Sequence, residues 1–356
     1  MSGVYIHIPF CARKCAYCDF ASWPGRQADW RRYVCAVEEE IRAVGGGPAE
    51  TVFFGGGTPS LLPAEWLCGL LDAVRETFAL AADAEITLEA NPGTVSPDSL
   101  ALYRQAGVNR VSFGAQSAND ALLRAIGRIH TWAQVEEAVR MAQDAGLENI
   151  NLDLMYGLPG QTVRDVETAL LRAMALGARH ISCYNLIVEP GTPLARGVER
   201  GEIRLPEEDA QAEMQRAVCE TLRKGGFERY EISNYALPGW ECRHNINYWL
   251  RGDYFGFGCA AHSLVDGVRY ANPDSLDAYL RGARQTDRET LAEEDVRLET
   301  VMLGTRTRWG ADISYMKANA LEPLVRSGFA RICAGKLVLT DAGWEVHNAI
   351  LRQILE

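Results

Sequence analysis

The apolar positions of this chain come in short runs separated by amphipathic stretches. Residues 4–8, 51–54, 85–89, 110–114, 149–155 and 180–186 are apolar-rich runs of strand length. Between and after them lie stretches with helical spacing, at 30–44, 63–77, a segment opening at Ser96-Pro97, 131–145 with a short piece at 119–126 before it, 162–176 and 206–224. Ser96-Pro97 is a start signal with a mechanism. A serine cap accepts an orphan N–H, and proline at the first helical position has none to lose. Six strands alternating with six helices predict an α/β fold on a parallel sheet, wound either as a partial (β/α)6 barrel of TIM type or as a doubly wound layer. In both, ligands gather at the carboxyl ends of the strands.

The rhythm breaks near residue 226. Residues 227–289 are rich in aromatics and glycine and predict short strands and loops that close the open side of the sheet. From 290 to 356 the pattern predicts helices at 293–308, 316–327 and 341–355, with short strands around Ile332 and at 337–339. This is a small α+β, winged-helix-like appendage. It is not notably basic, which favours a structural or partner-docking role over DNA binding. The expected units are therefore 1–226, 227–289 and 290–356.

Composition narrows the function classes. With 356 residues, 47% hydrophobic and 23% charged, the chain is built for a packed core rather than disorder. Lys plus Arg number 36 against 47 Asp plus Glu, a formal charge of -11, which repels nucleic acid and anionic lipid. No apolar run approaches a bilayer span, and MSGVYIHIPF lacks the layout of a secretory signal, so a cytoplasmic location is expected. In that compartment the ten cysteines are expected to be mostly reduced thiols.

Three of them, Cys11, Cys15 and Cys18, directly follow the first strand. The spacing is open to buried structural thiols or to a zinc site short of one ligand, but no second Cys pair completes such a site. Three thiolates can instead hold a [4Fe–4S] cluster with one iron left free of protein ligands. Cys35, Cys68, Cys183, Cys219, Cys259 and Cys333 mostly sit in helical or buried-strand patterns and are expected to be core filling. Gly55-Gly56-Gly57-Thr58-Pro59 ends the second strand, where glycines let backbone approach a ligand. Glu89 ends the third strand, Gln116 the fourth, Asp153 lies in the fifth, and Arg128 follows the fourth. Charges in buried strands are costly unless paired or liganded, so this set reads as one polar pocket.

The loop CARKCAYC resembles the CxxxCxxC signature of radical S-adenosylmethionine proteins. The resemblance implies that the amine and carboxylate of S-adenosylmethionine occupy the open iron, and that one-electron reduction can cleave the sulfonium. A ribose and a sulfonium cation suit the polar pocket. YIHIPFCARKCAYCDF, FFGGGTPS, GVNRVSFGAQS, DLMYGLPGQT and HNINYW together resemble one branch, that of the oxygen-independent coproporphyrinogen III oxidase and the HemW-type heme chaperones, over residues 4–263. By that resemblance, Tyr5, Tyr17, Gly56, Gly57, Thr58, Glu89, Gln116, Arg128 and Asp153 contact S-adenosylmethionine, and Cys11, Cys15 and Cys18 hold the cluster.

Two departures separate the branches. The oxidase carries a further Cys where this chain has Phe20, and a substantial segment before the motif that begins here at Tyr5. Both point away from decarboxylation of two propionates, which stands as the alternative. They point toward a chaperone that delivers heme to apo-hemoproteins such as respiratory cytochromes. The chaperone branch's HNxxYW motif implies heme contact by His244, Asn245, Tyr248 and Trp249. A neutral imidazole suits heme iron, and the two aromatics offer flat faces. Cys242 and His262 compete as iron ligands, and His7 stands between a supporting role and heme contact. The expected partners are heme, apo-hemoprotein acceptors and an electron donor such as flavodoxin or ferredoxin. The chain is expected to be a monomer or weak dimer, with scope for peripheral membrane contact.

Overall fold

The computed structural model describes residues 2–355. Across its centre run β1 (Ser2–Ile8), β2 (Pro48–Gly56), β3 (Ala79–Ala90), β4 (Arg110–Gln116), β5 (Asn149–Tyr156) and β6 (His180–Asn185), each paired in parallel with the next. The main helices after these strands are α1 (Trp30–Ala43), α2 (Ala64–Thr77), α3 (Pro97–Gln105), α4 (Trp132–Asp144), α5 (Val163–Ala175) and α6 (Glu208–Lys224). Strand order equals chain order, with no reversal at which a second winding could start. This selects the barrel type over the doubly wound layer.

The two faces of the sheet differ because side chains alternate along a strand. One face is apolar: Val4, Ile6 and Ile8 on β1, Ile86 and Leu88 on β3, Val111 and Phe113 on β4, and Ile150, Leu152 and Leu154 on β5 join the main core with the helices. For α1 the buried stripe is Tyr33, Val34, Val37 and Ile41. The interior face is polar: Glu85, Thr87 and Glu89 on β3, Arg110 and Ser112 on β4, Asn151 and Asp153 on β5, His180 and Ser182 on β6. The helices start where their caps are. Ser96 Oγ accepts from the Ser99 N–H at 3.2 Å and the Ser96 N–H donates in turn to Ser99 Oγ at 2.9 Å, ahead of Pro97.

Beyond residue 226 the expected closure of the sheet is replaced by growth at both edges. β7 (Glu228–Arg229) and β8 (Asn234–Ala236) add antiparallel strands beside β6. On the other side β9 (Asp253–Phe257) pairs in parallel with β1, and β10 (His262–Val265), β11 (Val268–Ala271) and β12 (Asp287–Thr290) continue antiparallel. Among the described residues no ladder joins β12 to β7. The exposed edge of β1 needed a partner and takes it from β9. HNINYW, expected among strands and loops, is a short helix, α7 (Arg243–Trp249).

The C-terminal unit holds α8 (Glu293–Gly304), β13 (Ala311–Asp312), α9 (Ala318–Arg326), β14 (Ala330–Cys333), β15 (Lys336–Leu339), α10 (Asp341–Glu345) and α11 (His347–Leu355). Its sheet runs β13-β15-β14 over a separate core that includes Val301, Leu321, Leu337, Trp344 and Ile350. The single helix expected at 341–355 is two, broken at Val346. Among the six cysteines expected to fill cores, Cys183 and Cys259 are buried, Cys35, Cys68 and Cys219 are half-buried, and Cys333 is exposed on an edge strand.

Candidate functional site

The three cysteines lie in the loop after β1. Backbone bonds fix this loop at its middle: Ala16 donates to the Ile126 carbonyl at 3.0 Å, and Leu194 donates to the Ala16 carbonyl at 2.9 Å. The Thr58 hydroxyl donates to Cys11 Sγ at 3.7 Å, and Arg128 Nη1 donates to Cys15 Sγ at 3.6 Å. Asn91 joins these two donors, giving a bond from its Nδ2 to Thr58 Oγ1 at 2.8 Å and accepting from Arg128 Nη2 at 2.5 Å. A hydroxyl and a guanidinium aimed at sulfur suit thiolates. Among the described residues, no three His, Cys, Asp or Glu side chains converge as a single-ion site requires. A cubane asks for something else, one thiolate on each of three irons, and three free half-exposed thiols in one loop fit that demand.

The cysteines open into a cleft at the carboxyl ends of the strands. Tyr17, Gly56, Gly57, Thr58, Glu89, Gln116, Arg128 and Asp153 all line it, with Asn91 and Ser112 in addition. Tyr5 does not. Its hydroxyl shares a hydrogen bond with His7 Nδ1 at 3.0 Å, and it borders a neighbouring cleft. Gly56 has φ +111, and a Cβ there would lie 2.5 Å from the His7 imidazole, so only glycine fits. Its N–H donates to Glu89 Oε2 at 3.1 Å. Gln116 sits at φ 64 where the β4–β5 register shifts, a bulge that re-aims its side chain into the cleft.

Glu89 and Asp153 give the cleft its electrostatic character. Burial, then the charge of Asp153, pushes the Glu89 carboxyl up to about 8. Burial also raises Asp153, against hydrogen bonds from Asn151, Ser182 and Ser112. Asn151 in turn bonds Asp153 at 2.8 Å and His180 at 2.6 Å, and His180 reaches the Tyr230 hydroxyl at 2.7 Å. Two carboxylates held against their preference for charge are prepared for a cation. A carboxyl whose folded value is raised costs the native state stability as pH climbs from its unfolded value, about 4.3, to its folded value. In ligand-free protein, Glu89→Gln therefore gains stability over the wild type across pH 5 to 8, with the gap level above that. Urea midpoints measured against pH check this, and parallel curves contradict it.

The neighbouring cleft is larger and apolar, about 630 Å³ in volume. Tyr5, Tyr248, Tyr254, Leu264, Met302 and Leu303 form its apolar wall, and His7, His262, Arg251, Arg269 and Glu299 its polar groups. Phe20, 68% exposed, borders both clefts. Glu299, Met302 and Leu303 come from α8, so the C-terminal unit supplies one side.

Helix α7 braces this wall. Glu85 accepts from the backbone N–H groups of Arg243 and His244, both at 3.0 Å, which caps the helix. His244 is buried. Its Nδ1 shares a hydrogen bond with Thr51 Oγ1 at 2.8 Å, its Nε2 another with the Tyr248 hydroxyl at 2.8 Å, and its ring stacks on Phe53. Burial, with the nearby Arg110 charge, pushes its imidazolium value down to about 3, so the ring is neutral. Tyr248 stands edge-on to Tyr254 with centroids 4.7 Å apart. Trp249 lies beneath the Arg306 guanidinium, 4.7 Å away, and so faces the C-terminal unit. The Asn245 backbone bonds the Cys242 thiol, which is buried, donates to Glu85 at 3.4 Å and is pushed up to about 12 by burial. Of HNINYW, only Tyr248 reaches the apolar cleft. Sequence reasoning passed over Glu85, Arg110, Ser112, Asn151 and His180. The signal was available: they sit two or four residues from Glu89 or Asp153, or at matching positions on adjacent strands.

Residues 5–173 match the model of the radical SAM superfamily. The chain is 35% identical to the heme chaperone HemW of Bacillus subtilis over 100% of this chain and 99% of that one. It is 36% identical to the heme chaperone HemW of Lactococcus lactis over 99% and 97%. The heme chaperone HemW of Escherichia coli matches at 42% over 74% and 70%. Among solved structures, the radical SAM enzyme coproporphyrinogen III oxidase from Escherichia coli superposes with a TM-score of 0.86, covering 99% of this chain and 89% of its own. At 23% identity this is a likeness of fold. Among the described residues no helix is long and apolar enough to cross a membrane.

Proposed function

The chain belongs to the radical SAM superfamily, within the family of the heme chaperone HemW, and we propose on that footing that it binds heme beside a [4Fe–4S] cluster with S-adenosylmethionine and passes the heme to apo-hemoproteins. The observation that carries this is the aromatic cleft set directly against the cysteine loop, with Phe20 as shared wall. Its volume falls within the roughly 300–1,000 Å³ of small-molecule sites, and its apolar lining suits a macrocycle.

In the polar cleft, Cys11, Cys15 and Cys18 would hold the cluster. The bound group would supply one-electron chemistry. Thr58 and Arg128 donate to the ligating sulfurs and so stabilise their negative charge. Glu89 and Asp153 balance the sulfonium charge, while Gln116, Tyr17 and the Gly56-Gly57 turn shape the pocket around the nucleoside and amino-acid ends. In the apolar cleft Tyr248 contacts heme directly. His244 orients Tyr248, and Trp249 anchors the wall to the C-terminal unit. Tyr5 and His7 form the boundary between the two ligands. Phe20 offers no thiol where the oxidase has one, which keeps the two sites chemically separate. Respiratory cytochromes as acceptors, flavodoxin or ferredoxin as electron donor, a monomeric or weakly dimeric state and a cytoplasmic location with membrane contact belong to the same proposal.

The test is anaerobic reconstitution with iron and sulfide, then hemin titration and a coproporphyrinogen III assay on the same sample. Saturable hemin binding without protoporphyrinogen formation is expected. Decarboxylation without hemin binding overturns the reading.

A further inference from the structure

Five of the six histidines are buried with ring nitrogens already engaged. His7 bonds Tyr5 and the Ala21 carbonyl, and His130 the Ala115 carbonyl. His180 bonds Asn151 and Tyr230, His244 bonds Thr51 and Tyr248, and His347 bonds Thr305. His7, His180 and His244 have both ring nitrogens bonded, so binding iron would first break a buried hydrogen bond, while His130 and His347 do not border the apolar cleft. His262 differs on every count. It opens β10, is exposed, carries no side-chain hydrogen bond among the described residues and borders the apolar cleft.

The same cleft offers a place for carboxylates. Arg251 and Arg269 both point to Glu299, Arg251 Nε at 3.0 Å. Arg269 also reaches the exposed Glu289 outside the cleft. Within the lining, two guanidiniums therefore share one carboxylate. Among the described residues Arg251 Nη2 is buried without a hydrogen-bond partner. A guanidinium with a spare donor in an apolar cleft is suited to a carboxylate brought in by the ligand.

We propose that His262 is the axial ligand of the heme iron in this cleft, with Arg251 and Arg269 receiving the propionates. The inference rests on the heme-binding reading above and adds the iron ligand to it. The step is a ligand exchange. The lone pair of one imidazole nitrogen forms an N–Fe bond and displaces the weakly held water or chloride of free ferric heme, with no electron transferred. An exposed ligand also suits release, because an acceptor's own ligand can approach the same iron and replace it.

The experiment titrates hemin into cluster-loaded wild-type chain, His262→Ala and Arg269→Gln, reading affinity and the ferric heme EPR spectrum. The wild type is expected to give a nitrogen-ligated signal. His262→Ala should lose that signal and bind hemin about tenfold or more weakly, with added imidazole restoring the signal. Arg269→Gln should weaken binding while leaving the signal unchanged. A His262→Ala protein with wild-type signal and affinity overturns the assignment while leaving the heme reading intact. A wild type that binds no hemin overturns both. Among the described residues His262 makes no side-chain hydrogen bond, so unchanged melting of His262→Ala is expected.

Discussion

Cys15→Ala removes the iron–sulfur chromophore and leaves the chain folded. Iron falls from about four per chain to less than one, because two thiolates cannot retain a cubane that three hold. Folding survives because the loop is held by backbone rather than by sulfur. Ala16 is bonded on both sides, to Ile126 and Leu194, and the Phe10–Cys11 segment pairs with Trp23–Pro24. The Cys15 thiol accepts a hydrogen bond from the Arg128 guanidinium. Against cluster-free wild type, the unfolding free energy from urea titration should therefore shift by less than about 0.5 kcal/mol, as for a substitution outside the core. Hemin binding should persist, since no cysteine lines the apolar cleft. Unfolding of the variant would mean that the cluster serves only as a structural staple.

Glu85→Ala is expected to destabilise the chain by about 3–5 kcal/mol, the range for breaking one side of a buried charged contact. Glu85 is buried and accepts three bonds, from the Arg243 and His244 backbones and the Cys242 thiol. It is also among the groups whose charge offsets that of the fully buried Arg110, whose Nε has no partner. Removing it orphans two N–H groups at the start of α7 and leaves a cation less compensated. The damage should spread to the apolar cleft, because α7 carries His244 and, through it, Tyr248. Hemin affinity and urea midpoint should fall together. Glu85→Gln, which keeps a carbonyl acceptor, should lose less of both. A Glu85→Ala protein within about 0.5 kcal/mol of wild type contradicts this account of the helix cap.

The β1–β6 strands and the helices between them were legible because each parallel strand buries an apolar face and each helix repeats a stripe, so the two periods alternate clearly. The cysteine loop, the glycine turn, Glu89, Gln116, Arg128 and Asp153 were legible as motif positions, and eight of the nine residues expected around S-adenosylmethionine do line one cleft. Helix α7 was not legible. It has seven residues, and the Glu85 that caps it lies 158 residues before Arg243. A histidine beside aromatics reads alike whether it faces a ligand or the interior, so the burial of His244 could not be read from HNINYW. Nor could the apolar cleft, whose walls come from β1, α7, β9, β10, β11 and α8, far apart in the chain. The growth of the sheet at both edges, rather than its closure, depended on which strand paired with β1, a choice local patterns do not encode.

If heme bound here is heme to be handed on, it must move to an acceptor. The direct measurement loads the cluster-bearing chain with hemin, removes free heme and mixes the complex with an apo-cytochrome, following both absorption spectra with time. The acceptor's heme spectrum is expected to grow as the donor's decays, with the same preparation leaving coproporphyrinogen III unchanged. Heme that stays on the chain in the presence of excess acceptor, together with protoporphyrinogen formation, would contradict it.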